Sequence, residues 1–466
     1  MNAHILLPEI ILSITAALVL IIEFLTPRRL QFIGTVTILG LLLALFYDLS
    51  MFRSSGIGFF GMVKVGPFDR MFDIIFFVGA ILLIILSFDY FVEISGEFYF
   101  FLITSLIGMM LLAKSSDLFM LFLSLETLSF SLLGMIGILK TKEPIAEAVL
   151  KYFVLAAFSS AFFLFGIVLT YVIFQTTNIS EISNKLFAAG LAGLKPGIIV
   201  TLVLLLIGLA FKVAAIPFHM WTPDVYEGAP APVVAFISAG PKAAGFAIIL
   251  RILLSGYQAH PELWSGIVKY LAVLTMFWGN LAALKTRNLK RMLAYSTIAH
   301  AGYVLVAIVS ANQEAYAAIV FYMLSYTFMV FGAFAIISML GDSHSNLDDY
   351  AGLSRTSPLL AFMMAIFMIS MTGIPTTSGF ISKFYVFMSA AKSNHIWLVI
   401  FGFINGAISA YYYLRVVVYM YMMDAKVEYT VPYFPFLRSV MWIAVIFIFY
   451  LGLFPQKIFE VIISTL

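Results

Sequence analysis

The chain has 466 residues, 63% of them hydrophobic and only 11% charged, with a formal net charge of +3. Soluble globular chains are nearer 25% charged, and a mean hydropathy of +1.07 excludes a water-soluble fold of this length. The small, scattered positive balance offers no surface for nucleic acid, and the absence of cysteine excludes disulfides, thiolate metal sites, cysteine-ligated iron–sulfur clusters and cysteine nucleophiles.

The chain opens Met1-Asn2-Ala3-His4 and turns apolar, with neither a basic leader nor a small-residue cleavage site, so its start is read as a retained first helix. A hydrocarbon core about 30 Å thick needs roughly 20 apolar helical residues. Such runs predict spans near 5–25, 30–48, 71–90, 97–113, 117–139, 149–174, 197–219, 231–254, 264–284, 292–310, 314–340, 357–391, 396–422 and 437–455. They are continuous rather than alternating, which favours helices over a barrel. The expectation is an all-α polytopic membrane protein of about fourteen transmembrane helices, filling 1–466 as a single transmembrane domain. The run at 357–391 is too long for one straight crossing and holds Gly373, Pro375 and Gly379, so it reads as a broken helix. Arg28 and Arg29, then Lys140 and Lys142, then Lys285, Arg287, Lys290 and Arg291 fall on one face. Assigning that face to the cytoplasm puts both termini outside. Arg53, Lys64, Arg70, Lys185 and Lys195 lie on the other face and weaken the bias.

Ionisable groups inside the spans carry the functional signal, since a charge at the bilayer centre costs at least about 2.5–3.5 kcal/mol and such residues mark ion or proton paths. Glu126 lies in the middle of span five among Ser124, Thr127, Ser129 and Ser131; it is a proton carrier or a structural carboxylate. Lys151 begins span six as an inner-face anchor or a relay partner. Lys212 lies in span seven, five residues before Pro217, whose missing N–H frees the Val213 carbonyl. His219, Asp224 and Glu227 follow, either as a proton entry or as a loop that locks helix ends. Lys242 comes directly after Pro241 in the centre of span eight, too deep to snorkel. His300 occupies mid-span ten, as a core histidine or a relay whose ordinary titration range is closest to neutral. Lys383 lies in the second half of the broken span, functional or snorkelling. Burial and a neighbouring carboxylate act on a lysine in opposite directions, so a moving carboxylate switches it between charged and neutral. A switchable proton path needs that property. The paired interruptions, Lys212 with Pro217 and Pro375 with Lys383, are the kind of signal left by inverted transporter repeats.

All of these residues but Lys242 lie in stretches that resemble a known family. FKVAAIPFHMWTPDVYEGAPAPV at 211–233 is the most specific, supported by LSLETLSFSLLGM, LKYFVLAAFSSAFFLFG, RNLKRMLAYSTIAHAGY and GIPTTSGFISKFYVF. The chain resembles the antiporter-like subunits of NADH–quinone oxidoreductase (respiratory complex I), of the subunit N type, related to Mrp-type sodium/proton antiporters. The resemblance implies two inverted five-helix repeats, at 97–254 (spans four to eight) and 264–422 (spans nine to thirteen), with spans seven and twelve broken. It implies proton translocation by Glu126, Lys212, Lys242, His300 and Lys383, with Lys151 as a further relay. Where the family often has two prolines after Gly-Ile in span twelve, this chain has Pro375 and Thr376. The missing long C-terminal lateral helix fits subunit N.

The function expected is therefore that of a non-redox, proton-translocating subunit of a complex that reduces quinone elsewhere. The chain itself would hold no cofactor and no metal, in keeping with the lack of cysteine and of a Rossmann-type glycine motif. Its partners would be the lipid bilayer and other membrane-arm subunits, neighbouring antiporter-like ones included, in a bacterial or archaeal inner membrane. The alternative is a subunit of an Mrp-type cation/proton antiporter without a redox partner. A bare scaffold fits poorly, because buried charges would cost insertion energy for nothing.

Overall fold

The structure is a computed structural model and describes residues 3–27, 29–91, 94–139, 143–190, 196–425 and 431–466. Arg28, Lys140, Lys142 and Lys195 of the orientation argument lie outside the described residues. In chain order the α-helices are α1 (Leu7–Leu25), α2 (Leu30–Ser50), α3 (Pro67–Tyr90), α4 (Glu97–Lys114), α5 (Leu118–Ile136), α6 (Glu143–Phe174) and α7 (Ile179–Ala189). They continue as α8 (Pro196–Val213), α9 (Trp221–Gly228), α10 (Ala231–Arg251), α11 (Ser265–Lys285), α12 (Leu289–Ser310) and α13 (Gln313–Leu340). The last are α14 (Leu353–Thr356), α15 (Pro358–Thr372), α16 (Ser378–Lys392), α17 (Ile396–Met422), α18 (Pro435–Leu453) and α19 (Pro455–Ile463).

Among the described residues, 13 helices are long and apolar enough to cross a membrane, and α15 with α16 supplies one further, interrupted crossing. This is the multi-pass helical architecture that the apolar runs predict. The differences lie at the ends. Helix α6 starts at Glu143, six residues early. Span seven stops at Val213 instead of running to 219. The amphipathic α7, the short α9 and α19, and a small hairpin of β1 (Gly56–Gly58) and β2 (Val63–Val65) have no counterpart among the expected spans.

Helix α10 is buried over its whole apolar window, and α12 and α13 are almost so, which puts these three at the centre. Helices α1, α2, α6, α11 and α17 surround them and expose large apolar side chains such as Phe24, Phe46, Phe158, Trp278 and Phe403. Outward apolar surface of this extent is what lipid requires of a spanning helix.

One junction occurs twice. Before α5, Asp117 caps the helix and forms a β-bridge with Asn178, the cap of α7; Leu118 N–H donates to Thr177 and Ile179 N–H to Ser116, both at 2.9 Å. Before α12, Asn288 caps the helix and bridges Asn346, with Leu289 N–H donating to Ser345 at 2.6 Å and Leu347 N–H to Arg287 at 2.9 Å. Because successive crossings alternate in direction, α5 and α12 start from opposite faces, so the two junctions are inverted.

The break between α15 and α16 runs over 373–377. Gly373 takes φ +92° and Thr376 φ +78°, and α18 packs on the break so closely that a Cβ on Gly452 would lie 2.3 Å from the Thr376 carbonyl oxygen. Proline's ring holds φ near −65°, so a second proline cannot take this backbone, and Thr376 is what the observed geometry permits. Thr376→Pro is expected to destabilise the chain by more than about 1 kcal/mol. The check is the thermal inactivation temperature of the purified complex, which should fall; an unchanged value would contradict the geometry.

A row of buried charges as the candidate functional site

The first half of the row is built on α5, α6 and α8. Glu126 is half-buried on α5 and accepts a short hydrogen bond from Ser160 of α6. Lys212 is buried and stands next to the last residue of α8, so it sits at the break itself rather than several residues inside a helix. The chain turns there: Ala214 has φ +59°, the Phe211 carbonyl accepts the Trp221 indole N–H at 3.0 Å, and Ile216 N–H donates to Thr275 of α11 at 3.1 Å. These partners keep the polar groups of the break satisfied inside protein, as an interruption at membrane depth requires.

Glu126 and Lys212 do not form the direct ion pair that their place in one repeat would favour. Lys212 Nζ donates to Ser129 Oγ at 2.6 Å and to Tyr152 OH at 3.3 Å, and lies 5.7 Å from the centre of the Tyr152 ring. Ser129 is one turn beyond Glu126 on α5. A cavity of about 30 Å³ is lined by Glu126, Ser129 and Tyr152 among others, which is room for one water with polar partners. The carboxylate and the ammonium are thus joined through a hydroxyl pair and a water-sized space.

Lys151 is elsewhere. It is 40% exposed and pairs with Glu147 and Asp224, each at 2.7 Å. Arg291 holds Asp224 at 2.9 Å and Glu227 at 2.7 Å. Asp224 and Glu227 thereby tie α6, α9 and α12 together, the helix-locking role. His219 is buried, and its Nδ1 has no hydrogen-bond partner among the described residues.

Lys242 is fully enclosed at the centre of α10, and its Nζ has no hydrogen-bond partner among the described residues. The helix passes the break of α8 one turn later: a Cβ on Gly245 would lie 3.5 Å from Lys212 Cβ. On the other side, Lys242 and Lys383 are the two cations that act electrostatically on His300. His300 Nδ1 is hydrogen-bonded to Tyr322 OH of α13 at 2.6 Å and Nε2 to Tyr413 OH of α17 at 3.0 Å. Tyr413 bonds in turn to Ser296, and Tyr326 to Thr297 at 2.7 Å.

Lys383 projects from α16 back across the break and donates to the Met371 carbonyl at 2.9 Å and the Thr372 carbonyl at 2.8 Å, the freed end of α15. Its Nζ lies 5.1 Å from the centre of the Tyr303 ring. Tyr303 OH accepts from Asn280 Nδ2 at 3.4 Å, and Asn280 also meets Asn405 at 3.1 Å and Tyr412 at 2.9 Å. The structure therefore buries Lys212, Lys242, His300 and Lys383 on α8, α10, α12 and α16, and leaves Lys151 partly exposed in an ion-pair cluster. The tyrosines that surround His300 and Lys383 were not among the residues singled out from the sequence. Their signal was a hydroxyl repeated inside otherwise apolar helices.

Residues 115–409 match the family model described as NADH:quinone oxidoreductase/Mrp antiporter, transmembrane. The chain belongs to this family. Within the family it is 43% identical over 435 residues to NADH-quinone oxidoreductase subunit N of Trichlorobacter lovleyi, spanning 92% of this chain and 89% of that one. It superposes on a chain of respiratory complex I from Thermus thermophilus with a TM-score of 0.85 at 33% identity, covering 97% of this chain and 98% of that one. A chain of the Mrp complex from Dietzia sp. shares the fold at a TM-score of 0.88, with 17% identity and 100% and 97% coverage.

Proposed function

We propose that this chain is a proton-translocating membrane-arm subunit of an NADH–quinone oxidoreductase, of the subunit N type. The observation that carries the reading is the row itself. Four basic side chains, Lys212, Lys242, His300 and Lys383, are buried on separate crossings, two of them at helix interruptions; hydroxyls hold Lys212 and His300, freed carbonyls hold Lys383, and Lys242 stands one turn from Gly245, which packs on Lys212. Buried ionisable groups on several helices are retained at a cost in insertion energy where charge has to move. The row runs from Glu126 through Ser129, Tyr152 and Lys212 to Lys242, then through His300 and its tyrosines to Lys383.

Glu126 is the end open to regulation. It is half-buried, beside the exposed Phe119, Leu123 and Phe130 of α5. A neighbouring antiporter-like subunit seated on that strip would enclose the carboxylate and set its distance from the Lys212 cluster. Redox chemistry and quinone reduction belong to partner subunits in this reading, and the chain holds no cofactor. The two inverted junctions at Asp117–Asn178 and Asn288–Asn346 support a pair of five-helix repeats over 97–254 and 264–422. The Mrp-antiporter reading shares the fold, but at 17% identity against 43% for the subunit N relative. Co-purification of the tagged chain separates the two: quinone-reducing and iron–sulfur subunits are expected with it, and a set of antiporter subunits alone would overturn the reading.

Both termini are proposed to face the outside of an inner membrane. The chain is free of cysteine, so Leu466→Cys gives a unique label site. A membrane-impermeant maleimide is expected to modify it in intact, outer-membrane-permeabilised cells. Labelling only after the inner membrane is lysed would reverse the orientation.

A further inference from the structure

A second group of buried charges lies away from the row, where the start of α1, the end of α2, the start of α3 and the end of α4 meet at the face that bears the N-terminus. Arg70 Nη1 contacts Asp48 Oδ1 at 2.5 Å, and Lys114 Nζ contacts both Glu9 Oε1 and Asp73 Oδ2 at 2.6 Å. The Arg70, Asp48, Lys114 and Asp73 side chains are at most 1% exposed, and Glu9 is 6% exposed. Each acid uses one oxygen on a cation. The other oxygen of each, Glu9 Oε2, Asp48 Oδ2 and Asp73 Oδ1, has no hydrogen-bond partner among the described residues.

The charges do not balance. Arg70 does not lose its proton in proteins, so it and Asp48 make a neutral pair. Lys114 then faces two carboxylates alone. The charged groups acting on Asp73 from the surrounding helices are Lys114 of α4, Asp48 of α2 and Glu9 of α1. Arg251 of α10, whose Nη1 lies 3.5 Å from the Lys114 carbonyl oxygen, is occupied by Asp69. One uncompensated negative charge would remain in a dry site, which is among the costliest arrangements a protein can hold. A proton on one of the two acids removes it and can occupy an oxygen that is free.

We infer that Glu9 and Asp73, arranged around Lys114, form a second proton-binding site that holds one exchangeable proton at neutral pH. The proton adds to a carboxylate oxygen as an O–H bond and comes from water; since both acids share one ammonium, it belongs to the pair rather than to either residue. A cavity of about 400 Å³ on the same face is lined by Asp69, Phe72, Ser116 and Arg251 among others; it lies beside the site, since none of Glu9, Asp48, Arg70, Asp73 and Lys114 lines it, and Arg251 Nη1 is 3.5 Å from the Lys114 carbonyl oxygen. This site does not depend on the role proposed for the Glu126–Lys383 row.

The test is infrared spectroscopy of the purified full-length chain in lipid, with carboxyl-labelled aspartate and glutamate, read in the stretch of the protonated carboxyl. At neutral pH, wild type minus Asp73→Asn and wild type minus Glu9→Gln should each show the loss of one protonated carboxyl, because either change leaves one acid for one ammonium. Lys114→Met should gain one, since both acids must then be neutral. If one variant fails to fold, the other two still decide. No protonated-carboxyl difference in the folded variants would overturn the inference.

Discussion

Lys242→Met is expected to leave the assembled complex at least as heat-stable as the wild type while lowering its proton pumping by about a hundredfold. The stability half follows from what surrounds the ammonium. Lys242 Nζ is enclosed and has no hydrogen-bond partner among the described residues. An apolar side chain of similar length removes that demand, and replacing an unpaired buried polar group by an apolar one of like shape is neutral or stabilising. The functional half follows from position. Lys242 stands on α10, one turn from Gly245 where that helix approaches the Lys212 break, and its charge acts on His300. A positioned proton-transfer group contributes about 10²-fold or more, and methionine cannot carry a proton. Measuring thermal inactivation and vesicle acidification on the same preparation separates the two effects. A pumping defect accompanied by an equal loss of assembled complex would make Lys242 a structural residue.

Gly379→Ala is expected to cost more folded protein than any other glycine-to-alanine change among the described residues. A Cβ at this position would lie 1.8 Å from the Ser370 carbonyl oxygen and 2.7 Å from its carbon, both backbone atoms that cannot rotate away. Helices α15 and α16 would have to separate. Overpacking of even well-tolerated side chains costs about 1–3 kcal/mol, and a backbone clash belongs at the top of that range. The residues that would move are the wrong ones for function as well: Met371 and Thr372, directly after Ser370, hold Lys383 through their carbonyls. The yield of assembled complex should fall steeply, and whatever assembles should pump poorly. Gly406→Ala on α17 is the control, because a Cβ there meets nothing within 4 Å. Equal yields from the two variants would mean that the break is looser than described.

The crossings were legible in the sequence because lipid imposes long continuous apolar runs, and the mid-membrane charges stood out against them. Lys242 and His300 lie where their place in an apolar run puts them. Lys212 also sits at depth, but its helix stops at Val213, since the polar partners that end it (the Trp221 indole and the Thr275 hydroxyl) come from distant segments. Its link to Glu126 through Ser129 and Tyr152, rather than by direct contact, depends on the relative rotation of α5, α6 and α8, which spacing along one helix does not encode. The tyrosines around His300 were hidden for a related reason: each sits in an apolar run and becomes polar machinery only when α12, α13 and α17 bring the hydroxyls together. Glu9, Asp48, Asp73 and Lys114 carry no such signal, since charges near span ends are ordinarily interface anchors. They are buried because four helix ends converge on them, a tertiary fact.

The most direct measurement of the central claim is the proton-to-electron ratio of purified, fully assembled complex in sealed vesicles carrying Lys212→Ala or Lys212→Arg, with quinone reduction recorded alongside. Lys212 is bonded to Ser129 and Tyr152 beside the Glu126 cavity and lies against α10 near Lys242. A group in that position must both hold and release a proton. Alanine can do neither, and arginine can hold one but does not give it up. Both variants are therefore expected to lower the ratio, with assembly retained. A normal ratio in both would remove Lys212 from the proton path and contradict the account.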